Sequence, residues 1–239
     1  MPALVLVAGA NLGAWAWERV TPHLVATGHT VHPLTLTGFG DRAHLSSPDV
    51  GLTTHAADIV AAIETADLHD VVLVAHSYAG APATIAASRV ADRIARTVYV
   101  GAVVPQAGRS LFDISPPLME KMIQEVTDAE GDGWLIPMMN DEIIDFAFGD
   151  HGLTPDDRAW LRARGVGQPI ACFREPVPEE LGSAESLPRT FVVCAGDPGE
   201  PPVAPGTPGW DVRVLATGHW PMVTAPAELA ALLDEEARR

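Results

Sequence analysis

Basic residues are scarce in this 239-residue chain: Lys and Arg total 15 against 31 Asp and Glu, for a net charge of −16. An acidic surface repels phosphate backbones and anionic lipid headgroups, so neither a nucleic-acid partner nor a membrane-surface role is expected. It also disfavours a strongly anionic substrate that has no local arginine to offset the field. Cysteine is nearly absent. Cys172 and Cys194 have no metal-ligand spacing, and Cys194, inside an apolar run, reads as a small core residue. No apolar run approaches membrane-spanning length. The first residues, Met-Pro-Ala-Leu-Val-Leu-Val-Ala-Gly, carry no basic region and no cleavage site. They read as a first core strand, not a signal peptide, and the expected compartment is the cytoplasm. The first glycine-rich loop lacks Gly-x-x-x-x-Gly-Lys, and the spacing Gly-x-Gly-x-x-Gly is not met, so phosphate binding is not indicated. No cofactor and no metal are expected. The partner is a small-molecule substrate, with a homodimer left open.

What the chain has is alternation. Strand-like runs recur at 3–8, 30–36, 71–75, 97–104, 190–195 and 211–216, and helical patterns fall at 15–27, 52–66, 79–91 and 226–238. Strands alternating with helices imply βαβ units with right-handed crossovers, hence an α/β fold with a mostly parallel six-stranded sheet flanked by helices. One interval breaks the rhythm. About 85 residues separate the fourth run from the fifth, too many for a structureless loop in a compact domain. They are rich in Pro, Met and aromatics. The expectation is a core over 1–105 and 188–239 and a mainly helical cap over 106–187, placed above the strand ends.

Residues 71–80, Val-Val-Leu-Val-Ala-His-Ser-Tyr-Ala-Gly, are the most informative stretch. A continuous apolar run reads as a buried parallel strand. It runs into Ser77, with Ala75 and Ala79 at two-residue spacing on either side. That is the small-x-Ser-x-small pattern of a nucleophile on a sharp strand-to-helix turn. Among the eight serines, only Ser77 combines both features. A serine hydroxyl needs a base, and the base needs an orienting acid, in the chain order Ser, Asp or Glu, His. The fifth run ends in Gly196-Asp197-Pro198 and the sixth in Thr217-Gly218-His219-Trp220-Pro221. Both leave the carboxyl edge, where an open α/β sheet places its ligands. Asp197 could be only a turn residue before proline, and His219 only one of nine histidines. The position after the fourth run, however, offers no carboxylate, and Asp211 begins a strand at the wrong end. His76 reads as structural, pointing away from the chemistry. Two backbone N–H groups must meet the oxyanion, and the candidates are Tyr78, after the nucleophile, and Ala10, in the first loop.

With these blocks in order, the chain resembles the α/β-hydrolase superfamily. More narrowly it is similar to the capped branch that holds plant methyl-salicylate and methyl-jasmonate esterases, hydroxynitrile lyases and their bacterial relatives. The resemblance rests on Gly13-Ala14-Trp15 with Trp17, on Leu34-Thr35-Leu36-Thr37-Gly38-Phe39-Gly40-Asp41-Arg42, on the elbow and on Gly218-His219. It implies Ser77 as nucleophile, His219 as base, Asp197 as orienting acid and an apolar pocket beneath a cap. Gly9 stands where the lyases carry threonine, and Trp220 where they carry lysine, so the resemblance favours ester hydrolysis over cyanide release. Relatives usually have histidine before the first-loop glycine, where this chain has Ala8. The pocket candidates are Gly9, Trp134, Met138, Met139, Phe146 and Trp220, although Met and aromatic residues in a cap serve equally as core. The expected activity is serine-dependent hydrolysis of a small, largely apolar ester, such as an alkyl or aryl methyl ester or a lactone. A cofactor-free dioxygenase or tailoring enzyme using the His219–Asp197 pair as base is the alternative. A non-catalytic small-molecule receptor is a third.

Overall fold

The computed structural model describes residues 2–149 and 151–239. In chain order the strands are β1 (Ala3–Val7), β2 (Thr30–Leu34), β3 (Val71–His76), β4 (Ile94–Val100), β5 (Leu135–Ile136), β6 (Gln168–Pro169), β7 (Arg189–Cys194) and β8 (Asp211–Leu215). Six of them form one sheet in the order β2-β1-β3-β4-β7-β8, and every neighbouring pair runs parallel. From β1 the chain first adds a strand on one side, then crosses to the other and builds outward. The order reverses between β1 and β3. The loops after those two strands therefore diverge and open a crevice at the carboxyl edge.

Both faces of the sheet are buried, which explains the uninterrupted apolar runs. Val5, Val7, Val71, Leu73 and Ala75 pack with Ile59 and Ile63 of the helix Leu52–Thr65 and Ile85 of the helix Gly80–Arg89. Their sequence neighbours Leu4, Leu6, Val72 and Val74 face the opposite layer, with Trp17, Leu24, Leu229 and Leu233. Each such side chain contributes roughly 1.5–3 kcal/mol by leaving water, so the central strands form a stiff base for whatever sits at their ends.

Three features differ from the sequence expectation. β4 begins at Ile94 rather than 97 and ends at Val100. Arg96 hides the strand's start in the sequence, because it is charged yet sits in the ladder. Its guanidinium donates to the Thr190 hydroxyl at 3.0 Å and pairs with the buried Glu236 at 3.3 Å. The helix expected over 15–27 is a short turn, Ala14–Trp17, followed by the helix Thr21–Ala26. Pro22 starts the second, since a proline fits only the first turn of a helix. Residues 106–187 hold the helices Pro117–Glu130, Asp141–Phe148 and Pro155–Arg164, two shorter ones, and an unexpected two-stranded antiparallel ladder of β5 with β6.

Candidate active site

Ser77 sits where β3 ends and a helical turn begins, with φ at +53°. A serine in this left-handed region costs of order 1–3 kcal/mol, and such strain persists only where the surroundings enforce it. Ala75 and Ala79 are buried on either side. Gly80 follows at a position where a Cβ would lie 2.0 Å from the Val103 carbonyl oxygen. The glycine at 80 is thus demanded by the close approach of the segment after β4.

The structure brings Ser77, His219 and Asp197 into one line. The Ser77 hydroxyl lies 2.9 Å from His219 Nε2, and His219 Nδ1 lies 2.9 Å from Asp197 Oδ2. An ionised carboxylate can only accept, so Nδ1 carries the hydrogen and Nε2 is left to accept the serine proton. The other carboxylate oxygen, Asp197 Oδ1, is buried and meets no donor among the described residues. Asp197 also borders a cavity of about 120 Å³ together with Gly101, Cys194 and Glu200. Burial pushes the Cys194 thiol up to about 12, which leaves it a neutral packing group.

Of the two expected oxyanion donors, Tyr78 follows Ser77 in the chain and Ala10 follows Gly9, which abuts the serine. The Ala10 N–H meets no acceptor among the described residues. The Tyr78 N–H belongs to the first turn after the elbow, where backbone donors lack intrahelical partners. Gly9 abuts Ser77: a Cβ there would fall 2.7 Å from Ser77 Cβ and 2.9 Å from His76 Nδ1. Asn11, at φ +66°, fastens the same loop to the insertion. Its carbonyl accepts from the Val166 N–H at 3.0 Å, and its Nδ2 donates to the Val166 carbonyl at 2.7 Å.

His76 has a more specific place than a side chain turned away. Its Nδ1 accepts from the Gly9 N–H at 3.3 Å, and its Nε2 donates to the His219 carbonyl at 2.7 Å. One imidazole therefore ties the first loop and the histidine loop to the elbow. This brace holds the first loop at Gly9, the residue after Ala8. Only the neutral ring can do so, since a proton on Nδ1 would point at another N–H. Burial, with His219 nearby, holds the His76 pKa well below the usual 6.5. His55 is built the same way. It donates to the Thr37 carbonyl at 2.8 Å, lies 2.8 Å from the Tyr78 hydroxyl, and is lowered by burial.

Two buried neutral histidines predict a pH dependence of stability. The unfolded chain takes up protons first as pH falls below about 6.5, so their contribution is present above that pH and is lost below it. The slope can reach at most about 1.4 kcal/mol per pH unit for one such group, and His76, the more strongly lowered, comes nearer to it than His55. The thermal midpoint, followed by circular dichroism, is expected to drop between about pH 6.5 and pH 5. The lowered carboxylates of Asp113, Asp145, Asp157 and Asp234 weaken the fold only further down, below about pH 4. A flat midpoint across that window would mean that these imidazoles are solvated or charged in the folded protein.

The expected pocket residues part company. Trp220 is buried and meets His219 edge-on at 5.1 Å between centroids. Met138 and Met139 are partly buried against the core, with the Met138 sulfur over Gly165. Trp134 is half-buried beside the β5–β6 ladder. Phe146 does not line the site: it is 74% exposed. Phe148, two residues further along the same helix, stacks on the His219 ring at 4.2 Å and 27° between planes. Two residues turn a helix by about 200°, so the two phenylalanines face opposite ways. The insertion also touches the histidine loop at Gly218, where a Cβ would fall 2.3 Å from His151 Cα. No spacing signal marks Asn11 or Phe148 in the sequence. Gln168, buried with neither amide atom hydrogen-bonded among the described residues, is equally unmarked.

Comparison with known proteins agrees with this architecture. The family model described as "Alpha/beta hydrolase family" matches residues 4–232, and the chain belongs to that family. A carbendazim hydrolyzing esterase from Nocardioides sp. (strain SG-4G) is 32% identical over 245 residues, covering 98% of each chain. Methylesterase 3 of Arabidopsis thaliana is 27% identical over 260 residues, covering 99% of this chain and 96% of its own. The solved structure of an extracellular α/β-hydrolase from a Paenibacillus species superposes with a TM-score of 0.86 at 22% identity, over the full length of both. No helix among the described residues is long and apolar enough to cross a membrane.

Proposed function

We propose that the chain is a serine carboxylesterase that cleaves a small, largely apolar ester through an acyl-enzyme on Ser77. The observation that carries this reading is the unbroken line Ser77 Oγ–His219–Asp197, at 2.9 Å for each link, beside an unpartnered backbone N–H on Ala10. The names of the esterase relatives support it.

The chemistry follows from the hydrogen-bond directions. Ser77 Oγ attacks the ester carbonyl carbon while its proton passes to His219 Nε2. The new imidazolium is held by Asp197 through Nδ1–H. The carbonyl oxygen takes the negative charge and is met by the N–H groups of Ala10 and Tyr78. Collapse expels the alcohol oxygen, which takes the proton back from Nε2. Water then repeats the sequence on the acyl-enzyme, giving the acid and free Ser77. Residues 106–187 act as the cap, with Phe148 stacked on the histidine and Trp220 against its edge. An alkyl or aryl methyl ester, or a lactone, suits these surroundings.

A fluorophosphonate probe tests the mechanism. Incubation is expected to give one adduct per chain, on Ser77 by peptide mass mapping, with parallel loss of activity on a panel of methyl, aryl and lactone esters. Absence of labelling in a preparation that turns esters over would overturn the acyl-enzyme reading.

A further inference from the structure

We infer that Phe148 assists the reaction through His219 by stabilising the imidazolium that forms when the ring takes the Ser77 proton. The inference rests on the hydrolase reading above and adds to it a residue that acts on the histidine's charge.

The geometry is that of a cation over an aromatic face. The Phe148 and His219 rings are nearly parallel, 27° apart, with centroids at 4.2 Å. A cation within about 6 Å of a ring centroid is attracted by the negative face of the π-system, and more strongly where water is excluded. The His219 side chain is only 8% exposed. The charge exists only after proton transfer, so the attraction lowers the barrier more than it aids binding. Trp220 stands at 88° to the imidazole, so the two rings meet edge-to-face and not as a parallel stack. Phe148 is also held in place. Its ring meets Trp220 at 4.8 Å. Its helix is fixed by Asp145, which is bonded to His151 and paired with Arg158.

Trp220 touches both rings, and Phe148→Tyr is chosen to keep that aromatic contact. The titratable groups around His219 keep their identity when Phe148 is replaced. They are Ser77 and Asp197 on its two nitrogens, and the neutral His76 at 5.0 Å. Cys194 and Glu200 lie behind Asp197, and the Asp145–His151–Arg158 cluster lies behind Trp220. A difference between variants at position 148 therefore reports the ring itself.

The test compares wild type, Phe148→Leu and Phe148→Tyr, as full chains, on p-nitrophenyl acetate from about pH 5 to pH 9. Leucine keeps apolar bulk and removes the face. Phe148→Leu is expected to lower the kcat/KM plateau by about three- to thirtyfold. Its acid limb is expected to move to lower pH, because the protonated ring loses support in the free enzyme too. Phe148→Tyr restores both to near the wild-type profile. An NMR titration of the His219 ring, in the Ser77→Ala background with and without Phe148→Leu, is expected to move the same way without any turnover. A lower plateau with an unmoved limb and titration would make Phe148 a packing residue and overturn the inference. So would a Phe148→Leu profile that superimposes on wild type. Failure of the hydrolase reading looks different: Ser77→Ala would then hydrolyse the ester as fast as wild type.

Discussion

Replacing Ser77 by alanine is expected to lower kcat for p-nitrophenyl acetate by about a millionfold, equivalent to about 8 kcal/mol of barrier. The loss is large because the hydroxyl cannot be replaced from nearby. Water in its place could meet His219 Nε2, but it would lack the covalent tether and the orientation that the strained +53° backbone gives the side chain. The residual rate, of order 10³–10⁴ over water, would come from the oxyanion donors and from substrate binding. The fold itself is expected to be indifferent. Alanine keeps the Cβ that rests against Gly9, and the thermal midpoint should stay within a few degrees of wild type. The variant also separates the two enzymatic readings. Undiminished ester turnover would remove Ser77 from the mechanism. Oxygen-dependent turnover of another substrate by the same variant would instead favour His219 and Asp197 acting as a base without a nucleophile.

The parts of this arrangement that were legible in the sequence share a physical cause. A buried parallel strand must be apolar on both faces, so Val71 to Val74 announce themselves, and the close approach of Val103 leaves room only for glycine at position 80. Asp197 and His219 needed only strand order, because loops at the carboxyl ends of neighbouring parallel strands open on one edge. The contacts that support the site left no such trace. Gly9 to His76 spans 67 positions and Asn11 to Val166 spans 155. Neither has a period that a pattern could expose. The choice of Phe146 over Phe148 shows the same limit: a helix phase error of two residues exchanges the solvent face for the site face. Arg96 erred in the other direction. Its charge masked a genuine strand start, because the compensating Glu236 lies on the last helix, far along the chain.

Asp197 offers the second large effect, and here this site departs from the usual expectation for its class. Asp197→Ala is expected to cost about 10⁴ in kcat on the same ester, since the imidazole loses both its orienting partner and the charge that supports its protonated form. Asparagine at a triad aspartate commonly costs as much, because its NH₂ group faces the histidine and forces the hydrogen onto Nε2. That outcome requires the amide oxygen to be pinned on the far side by donors. In this protein the far oxygen, Asp197 Oδ1, meets no donor among the described residues, and Asp197 borders a cavity. An asparagine is free to turn its carbonyl toward Nδ1–H and keep Nε2 available to the serine. Asp197→Asn is therefore expected to retain kcat about ten- to a hundredfold above Asp197→Ala, losing the negative charge but not the tautomer. Steady-state kinetics on the three proteins, with KM nearly constant across them, checks the order. Equal loss in the asparagine and alanine variants would mean that the amide is held in the wrong orientation, and that the Oδ1 position carries a donor after all.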